Sequence, residues 1–449
     1  MEQVDVIIIG SGQGGVPLAA DLASEGKRVV LFERDRLGGS CVNYGCHPSK
    51  LLLASAHAAA RARRAARLGV HAEVRVDFPA VMQRVRRVRD QMSSGVGRRL
   101  EKAGVRVVRA EARFTGERTV EGGGLTVTAP LVIINTGTAP AVPPIPGLEG
   151  TPYLTNLTFF ELNELPARTL VLGGGYVGLE LGQGLAQLGS EVHVIEMAER
   201  LMPTEEPDVS EVLHAALEAD GVRIHLGTRA ERVAHENGRF SVALSNGQTL
   251  EGEALLVATG RRPNTPALNA EAAGIELDAR GFIKVDDRFR TTAEGVYAIG
   301  DVTGQPAFTH VSWEDYRRLM AVLKGEARRR GDRVLGYVAF TEPQLGRAGL
   351  TLEQAQAQGY KARAATLPMK RVARAIDLDE TQGFFRLVID EETERILGAT
   401  FVGYEAGELV QLIMVLMEAG APWRVLEQSQ LIHPTLAEGL PVLARQFTQ

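Results

Sequence analysis

A short apolar run, a glycine-rich turn, a helical stretch and a second apolar run ending in an acid occur twice in this 449-residue chain. Val4 to Ile9 leads into Gly10-Ser11-Gly12-Gln13-Gly14-Gly15, after which Leu18, Ala19, Leu22 and Ala23 recur at helical spacing and Arg28 to Phe32 ends at Glu33. From Thr169 the pattern returns: Leu170 to Leu172, Gly173-Gly174-Gly175-Tyr176-Val177-Gly178, a helix, then Glu191 to Ile195 ending at Glu196. Uninterrupted apolar strands alternating with helices need a parallel sheet covered on both faces, so the expected fold class is α/β with an internal duplication.

The two turns share one chemistry. The first glycine (Gly10, Gly173) permits a tight bend and the second (Gly12, Gly175) lets backbone approach a pyrophosphate. The third (Gly15, Gly178) lets the helix close on the strand, while the helix N-terminus supplies N–H donors and a favourable dipole. Glu33 and Glu196 each stand 21 residues after the second glycine, where a carboxylate accepts both hydroxyls of a ribose. Two Rossmann-like dinucleotide-binding domains are therefore expected, and two dinucleotides in one chain point to FAD with a nicotinamide. A carboxylate at Glu196 repels a 2′-phosphate, which favours NADH over NADPH. Arg200 argues the other way and is read as a solvated arginine after the strand.

At this length more than one core is needed. Apolar strands Leu131 to Asn135 and Ala254 to Ala258 each end in Thr-Gly, at Thr136-Gly137 and Thr259-Gly260. A Pro-rich linker, Pro140 to Pro152, precedes the second unit, and Val296 to Ile299 runs into Gly300-Asp301. After about Arg328 the pattern changes: Phe384 to Ile389 and Arg395 to Val402 read as antiparallel strands, and Gly407 to Glu418 as an amphipathic helix. Charge is balanced, 50 basic against 55 acidic residues, so neither nucleic acid nor a membrane surface is an expected partner. The Arg61 to Arg67 and Arg84 to Arg89 runs read as solvated helix faces. No apolar run is long enough to span a bilayer, and Met1 leads straight into a strand without a basic leader, so a cytoplasmic location is expected.

Only two cysteines occur, Cys41 and Cys46, and they flank Val42-Asn43-Tyr44-Gly45. Two thiols this close staple nothing large, and no second cysteine pair completes a zinc site, so no metal site is expected. Leu51 to Ala60 is helical in pattern, which puts Cys46 near a helix N-terminus, where the dipole stabilises a thiolate. A redox pair is the reading that remains.

The motifs Gly10 to Gly15, Gly38 to Lys50, Thr136-Gly137, Gly173 to Glu180, Ala258 to Asn264, Ala298 to Asp301 and His433 to Glu438 cover every region. Together they resemble the class I pyridine nucleotide–disulfide oxidoreductases, the family of dihydrolipoamide dehydrogenase, glutathione reductase and mercuric reductase. The resemblance implies a C-terminal α/β dimerisation domain and a homodimer. The implied domains are 1–145 with 268–328 for FAD, 146–267 for NAD(P) and 329–449 for the interface, the first split because Asp301 must return to the first sheet. It further implies that Asp301 holds the ribityl–phosphate part of FAD, with contacts from Gly39, Ser40, Thr136 and Gly137. Tyr176 and Gly260 belong to the nicotinamide side, and Lys50 and Glu180 pair near the flavin N5. His433, steadied by Glu438, is implied as the acid–base for the dithiol of the partner subunit.

Departures from the family pattern matter for substrate. Ser40, Tyr44 and His47 replace the residues usual there; His47 either supports a thiolate or sits on the solvent side, and the second is favoured. Thr309 to Arg317 looks more like the mercuric-reductase-like and reactive-chlorine-response flavoproteins, yet Arg445 to Gln449 carries no vicinal cysteine pair. The leading expectation is a general NADH-linked reductase of a disulfide, or of another oxidised small molecule. Dihydrolipoamide dehydrogenase, metal-ion reduction at the same dithiol and a non-catalytic flavoprotein module are the alternatives.

Overall fold

The computed structural model describes all 449 residues. Three sheets carry the architecture. The first is parallel, in the order Val296–Ala298, Leu131–Ile134, Val6–Ile9, Val29–Phe32, Arg106–Val108. The second is parallel, in the order Arg223–His225, Glu191–Ile195, Arg168–Leu172, Ala254–Val257. The third is antiparallel, in the order Gly336–Ala339, Gln344–Gly349, Ile396–Gly403, Phe384–Asp390, Ala362–Pro368. Strands of the first sheet such as Val6–Ile9 and Val29–Phe32 are buried along their whole length, as their β-branched runs require.

The duplication is realised in space: the Gly15–Ser24 and Tyr176–Leu188 helices each follow a central strand and its glycine turn. An antiparallel pair, Thr138–Pro140 with Arg261–Pro263, ties the Thr-Gly loops of the two sheets together. The strand Val296–Ala298 returns to the edge of the first sheet beside Leu131–Ile134, which brings Asp301 back to the first glycine turn.

The Cys46–Arg64 helix lies against the Tyr176–Leu188 helix, and Gly184 leaves room for Leu53, whose Cδ2 would stand 3.0 Å from a Cβ there. Leu52 and Ala56 of the first helix share one apolar core with Leu179, Leu185, Val192 and Val194, and with Leu345 and Val402 of the third sheet. Each leucine or valine there contributes about 1.5–3 kcal/mol on burial, so the second and third sheets and the Cys46–Arg64 helix pack around that seam. No helix is long and apolar enough to cross a membrane.

One expectation fails. Arg89 of the Phe78–Lys102 helix is 2% exposed, with its guanidinium on Glu161 at 2.5 Å and Asp90 at 3.0 Å. A solvated face was the simple reading of four arginines in six residues; instead a distant carboxylate neutralises this one inside the protein.

Candidate active site

Gly10 sits at φ +102, and a Cβ there would stand 2.4 Å from the Asn135 carbonyl oxygen. Gly173 repeats this at φ +109, 2.5 Å from the Ala258 carbonyl oxygen. The third glycines close equally tightly: a Cβ on Gly15 or Gly178 would meet the carbonyl oxygen of Gly10 or Gly173 at 2.3 and 2.1 Å. The acids also match atom for atom. Glu33 Oε2 accepts from the Ser11 N–H at 2.9 Å, and Glu196 Oε2 accepts from the Gly174 N–H at 2.6 Å. Each carboxylate thereby braces its turn and keeps further lone pairs for a ligand.

Asn135 holds the first turn and was not singled out by any motif. Its Oδ1 accepts from the Gly15 N–H at 2.9 Å, while its Nδ2 donates to the Ile299 carbonyl at 3.0 Å and to Ser312 Oγ at 3.2 Å. Asn135→Ala leaves three buried groups without that partner, each worth about 1–3 kcal/mol. The expected result is a lower unfolding temperature together with a smaller fraction of bound flavin after purification, read by thermal melts and by absorbance.

A cavity of about 520 Å³ runs along the first turn. Gly10, Gly12, Glu33, Gly39, Ser40, Cys41, Thr136, Gly137 and Asp301 all line it, which brings most of the expected flavin-side residues to one cleft. Its chemistry fits a flavin dinucleotide. Thr136 Oγ1 is buried without a hydrogen-bond partner, and burial pushes the Asp301 carboxyl up, so both want a polar group inside the cleft. On the second turn nothing stands within 4 Å of a Cβ on Gly175 or Gly260, so that cradle is open too. Tyr176 begins the second helix with its ring 5.5 Å from that of Phe308.

The dithiol segment is pressed against the first turn: a Cβ on Gly39 would lie 2.8 Å from Gly12 Cα. Cys41 lies in the short Gly39–Asn43 helix, and Cys46 is the first residue of the Cys46–Arg64 helix. Both are free thiols here, Cys41 buried and Cys46 half-buried. The neighbouring Cys41 thiol, with Thr309 and the Lys50 ammonium, outweighs burial and pulls Cys46 down to about 6. The neighbouring Cys46 sulfur, together with burial, pushes Cys41 well up. The pair is thus polarised, with Cys46 the thiolate and Cys41 a thiol that needs a base.

Around them, Thr309 Oγ1 stands 3.2 Å from Cys46 Sγ, at the start of the Thr309–Leu323 helix. Lys50 Nζ donates to Glu180 Oε2 at 2.7 Å, so these two expected partners do meet. Tyr44 anchors the loop between the cysteines through its hydroxyl, which donates to Asp35 Oδ2 at 2.6 Å. His47 is exposed, the solvent-side alternative of the two considered. His433 Nδ1 meets Glu438 Oε2 at 2.8 Å, and its side chain is 76% exposed. A base so oriented and so open faces outward from its own chain.

Comparison with known proteins agrees. The family model described as pyridine nucleotide-disulphide oxidoreductase matches residues 4–315, and that of the same family's dimerisation domain matches 336–444. Mercuric reductase of Bacillus cereus is 35% identical over 449 residues, covering 99% of this chain and 71% of that protein. Dihydrolipoyl dehydrogenase of Haloferax volcanii is 35% identical over 450 residues, covering 97% and 94%. The probable pyridine nucleotide-disulfide oxidoreductase RclA of Escherichia coli is 34% identical over 451 residues, covering 98% of each. Its solved structure, described as an HOCl-induced flavoprotein disulfide reductase, superposes with a TM-score of 0.90 at 33% identity, over 98% of this chain and 99% of that one. With two duplicated cradles, a polarised dithiol and matches that run nearly end to end, the chain belongs to the FAD-dependent pyridine nucleotide-disulfide oxidoreductases and carries their dimerisation domain.

Proposed function

We propose that this enzyme is an NADH-linked disulfide reductase whose electrons leave through Cys41 and Cys46. The observation that carries the reading is the polarised dithiol: Cys41 lines the first dinucleotide cradle, and Cys46, lowered at a helix N-terminus, stands 3.2 Å from Thr309, which lines the cradle too. In this reading 1–145 with 268–328 is the flavin domain, 146–267 the nicotinamide domain and 329–449 the interface.

Residue by residue, Gly10, Gly12, Gly15, Glu33, Gly39, Ser40, Thr136, Gly137 and Asp301 hold FAD, and Gly173, Gly175, Tyr176, Gly178, Glu196 and Gly260 hold the nicotinamide. Lys50 and Glu180 face the flavin as an ion pair. Bound flavin accepts two electrons from the nicotinamide and donates two to a disulfide. On receiving them with one proton, the Cys41–Cys46 bond breaks to a Cys46 thiolate and a Cys41 thiol. His433, oriented by Glu438, removes the Cys41 proton. The Cys41 sulfur attacks the substrate disulfide, and the first substrate thiolate takes the proton back from His433. Cys46 then attacks the Cys41 sulfur of the mixed disulfide, which restores the intramolecular bond and expels the second substrate thiolate.

Metal-ion reduction is the second reading, because a Cys46 thiolate is a soft ligand and one solved structure of the RclA relative is described as its Cu(II) complex. A stopped-flow screen of reduced enzyme against small disulfides, oxidised lipoamide, Hg(II) and Cu(II) separates the readings. Fastest reoxidation by a metal ion, with slow disulfides, overturns the first.

The nicotinamide preference rests on Glu196. Its two oxygens are held by the Gly174 and Ala198 N–H groups at 2.6 and 2.8 Å, so the carboxylate stays where a 2′-phosphate would lie. Arg200 is turned aside, donating to the Pro203 carbonyl at 3.0 Å. NADH should exceed NADPH in kcat/KM by at least about tenfold, equivalent to about 1.4 kcal/mol, and Glu196→Arg should narrow or reverse the ratio. Equal steady-state efficiencies in the wild type would count against it.

A further inference from the structure

The Tyr176–Leu188 helix is apolar except for Glu180, Gln183 and Gln187, which share one face and are all buried. The Cys46–Arg64 helix beside it carries Lys50, His57, Arg61 and Arg64 at matching helical spacing. Between these two polar stripes runs Phe340-Thr341-Glu342-Pro343, the strap that joins Gly336–Ala339 to Gln344–Gly349 in the third sheet.

The strap answers both stripes. Glu342 donates its N–H to Gln183 Oε1 at 2.8 Å and accepts from Gln183 Nε2 on its carbonyl at 2.7 Å. Its carboxylate takes Arg64 at 2.6 Å and Gln187 Nε2 at 3.2 Å on one oxygen, and Arg61 at 3.1 Å on the other. One strand-step earlier, the Phe340 N–H donates to Glu180 Oε1 at 2.9 Å, and the Phe340 ring lies 4.3 Å from Lys50 Nζ. The two oxygens of Glu180 are therefore divided, one to Lys50 and one to the strap.

Burying amides and carboxylates inside an apolar helix costs stability unless each is bonded, and apolar residues would pack the seam as well. What the polar stripes add is a fixed register between the third sheet and the two helices that begin with Cys46 and Tyr176. We propose that Phe340 and Glu342 are positioning residues: the dimerisation domain, through this strap, sets the geometry of the Lys50–Glu180 pair for electron entry into the flavin. The inference rests on the functional reading above, in which that pair faces the flavin. An ammonium pinned there by Glu180 and an aromatic face favours electron uptake; released, it turns to water.

The experiment uses the FAD-loaded dimer of wild type, Phe340→Leu, Phe340→Tyr and Glu342→Ala. Two quantities are read: the limiting rate of flavin reduction with its half-saturation in NADH, and the flavin midpoint potential by dye equilibration without nicotinamide. Phe340→Leu should lower the limiting rate about tenfold, leave half-saturation within about twofold, and lower the potential. Phe340→Tyr should keep rate, half-saturation and potential at their wild-type values, and Glu342→Ala should shift rate and potential in the same direction as Phe340→Leu. Phe340→Leu keeps every strap hydrogen bond, so it carries the test if Glu342→Ala loses FAD or the dimer. Wild-type rate and potential in Phe340→Leu overturn the inference. A wild type that NADH does not reduce overturns the functional reading instead, and the potential still reports on the strap.

Discussion

Cys46→Ser is expected to abolish disulfide turnover, by at least about a thousandfold, and with it the long-wavelength absorbance that a thiolate gives beside a flavin. Cys41→Ser should lose turnover to the same extent yet show that absorbance without any reduction, because Cys46 is then free to ionise. The asymmetry comes from the surroundings of the two sulfurs. Beside the Cys41 thiol, with Thr309 at 3.2 Å and the Lys50 ammonium, Cys46 is pulled down to about 6, whereas Cys41, next to the Cys46 sulfur and buried, is pushed up. An acid with a depressed pKa stays ionised above that value and takes up its proton below it. In two-electron-reduced wild type the band should therefore persist at neutral pH and fade as pH falls through about 6. Anaerobic spectra of both variants and a pH titration of the reduced enzyme decide the matter. A band kept by Cys46→Ser and lost by Cys41→Ser reverses the two roles.

What could be read from the sequence was what is local in the sequence. Strand, glycine turn, helix and terminal acid occupy 30 consecutive residues in the first copy and 27 in the second, so composition and spacing suffice, and the parallel sheets follow. The third sheet was legible from Phe384 to Val402 for the same reason. Its outer strand Ala362–Pro368 carries alanine and arginine among its residues and gave no signal. The residues that finish the site come from far away in the chain. Thr309 reaches Cys46 across 263 positions, Phe340 reaches Glu180 across 160, and Asn135 reaches Gly15 across 120. Nothing about a threonine before a histidine, or a phenylalanine at the end of a strand, marks it as the neighbour of a sulfur or an ammonium. Arg89 misled in the same way, since the carboxylate that lets it be buried, Glu161, lies 72 positions on.

The same distance argument bears on His433. In one chain the base is 76% exposed and held by Glu438, while Cys41 is buried beside the first glycine turn, where the Cys46 sulfur and burial keep its proton on. Proton removal requires contact at about 2.6–3.2 Å or through one water, and an outward-facing base finds that contact most simply on a second copy of the chain. Leu412, Val415 and Ile432 are exposed apolar residues of the same module, as a two-fold interface through it would need. His433→Ala should lower disulfide turnover by about 10²–10⁴-fold while leaving flavin reduction by NADH near wild type, because no proton of the dithiol moves in that half-reaction's hydride step. Mixing is the sharper measurement. Cys41→Ser chains and His433→Ala chains, each inactive as homodimers, are combined and heterodimers isolated by paired affinity tags. One of the two sites then regains an intact dithiol from one chain and an intact base from the other. Turnover should rise far above either parent, toward half that of wild type per dimer. Verified heterodimers that stay as inactive as their parents would mean that His433 serves its own chain, or that the proton leaves Cys41 by another group.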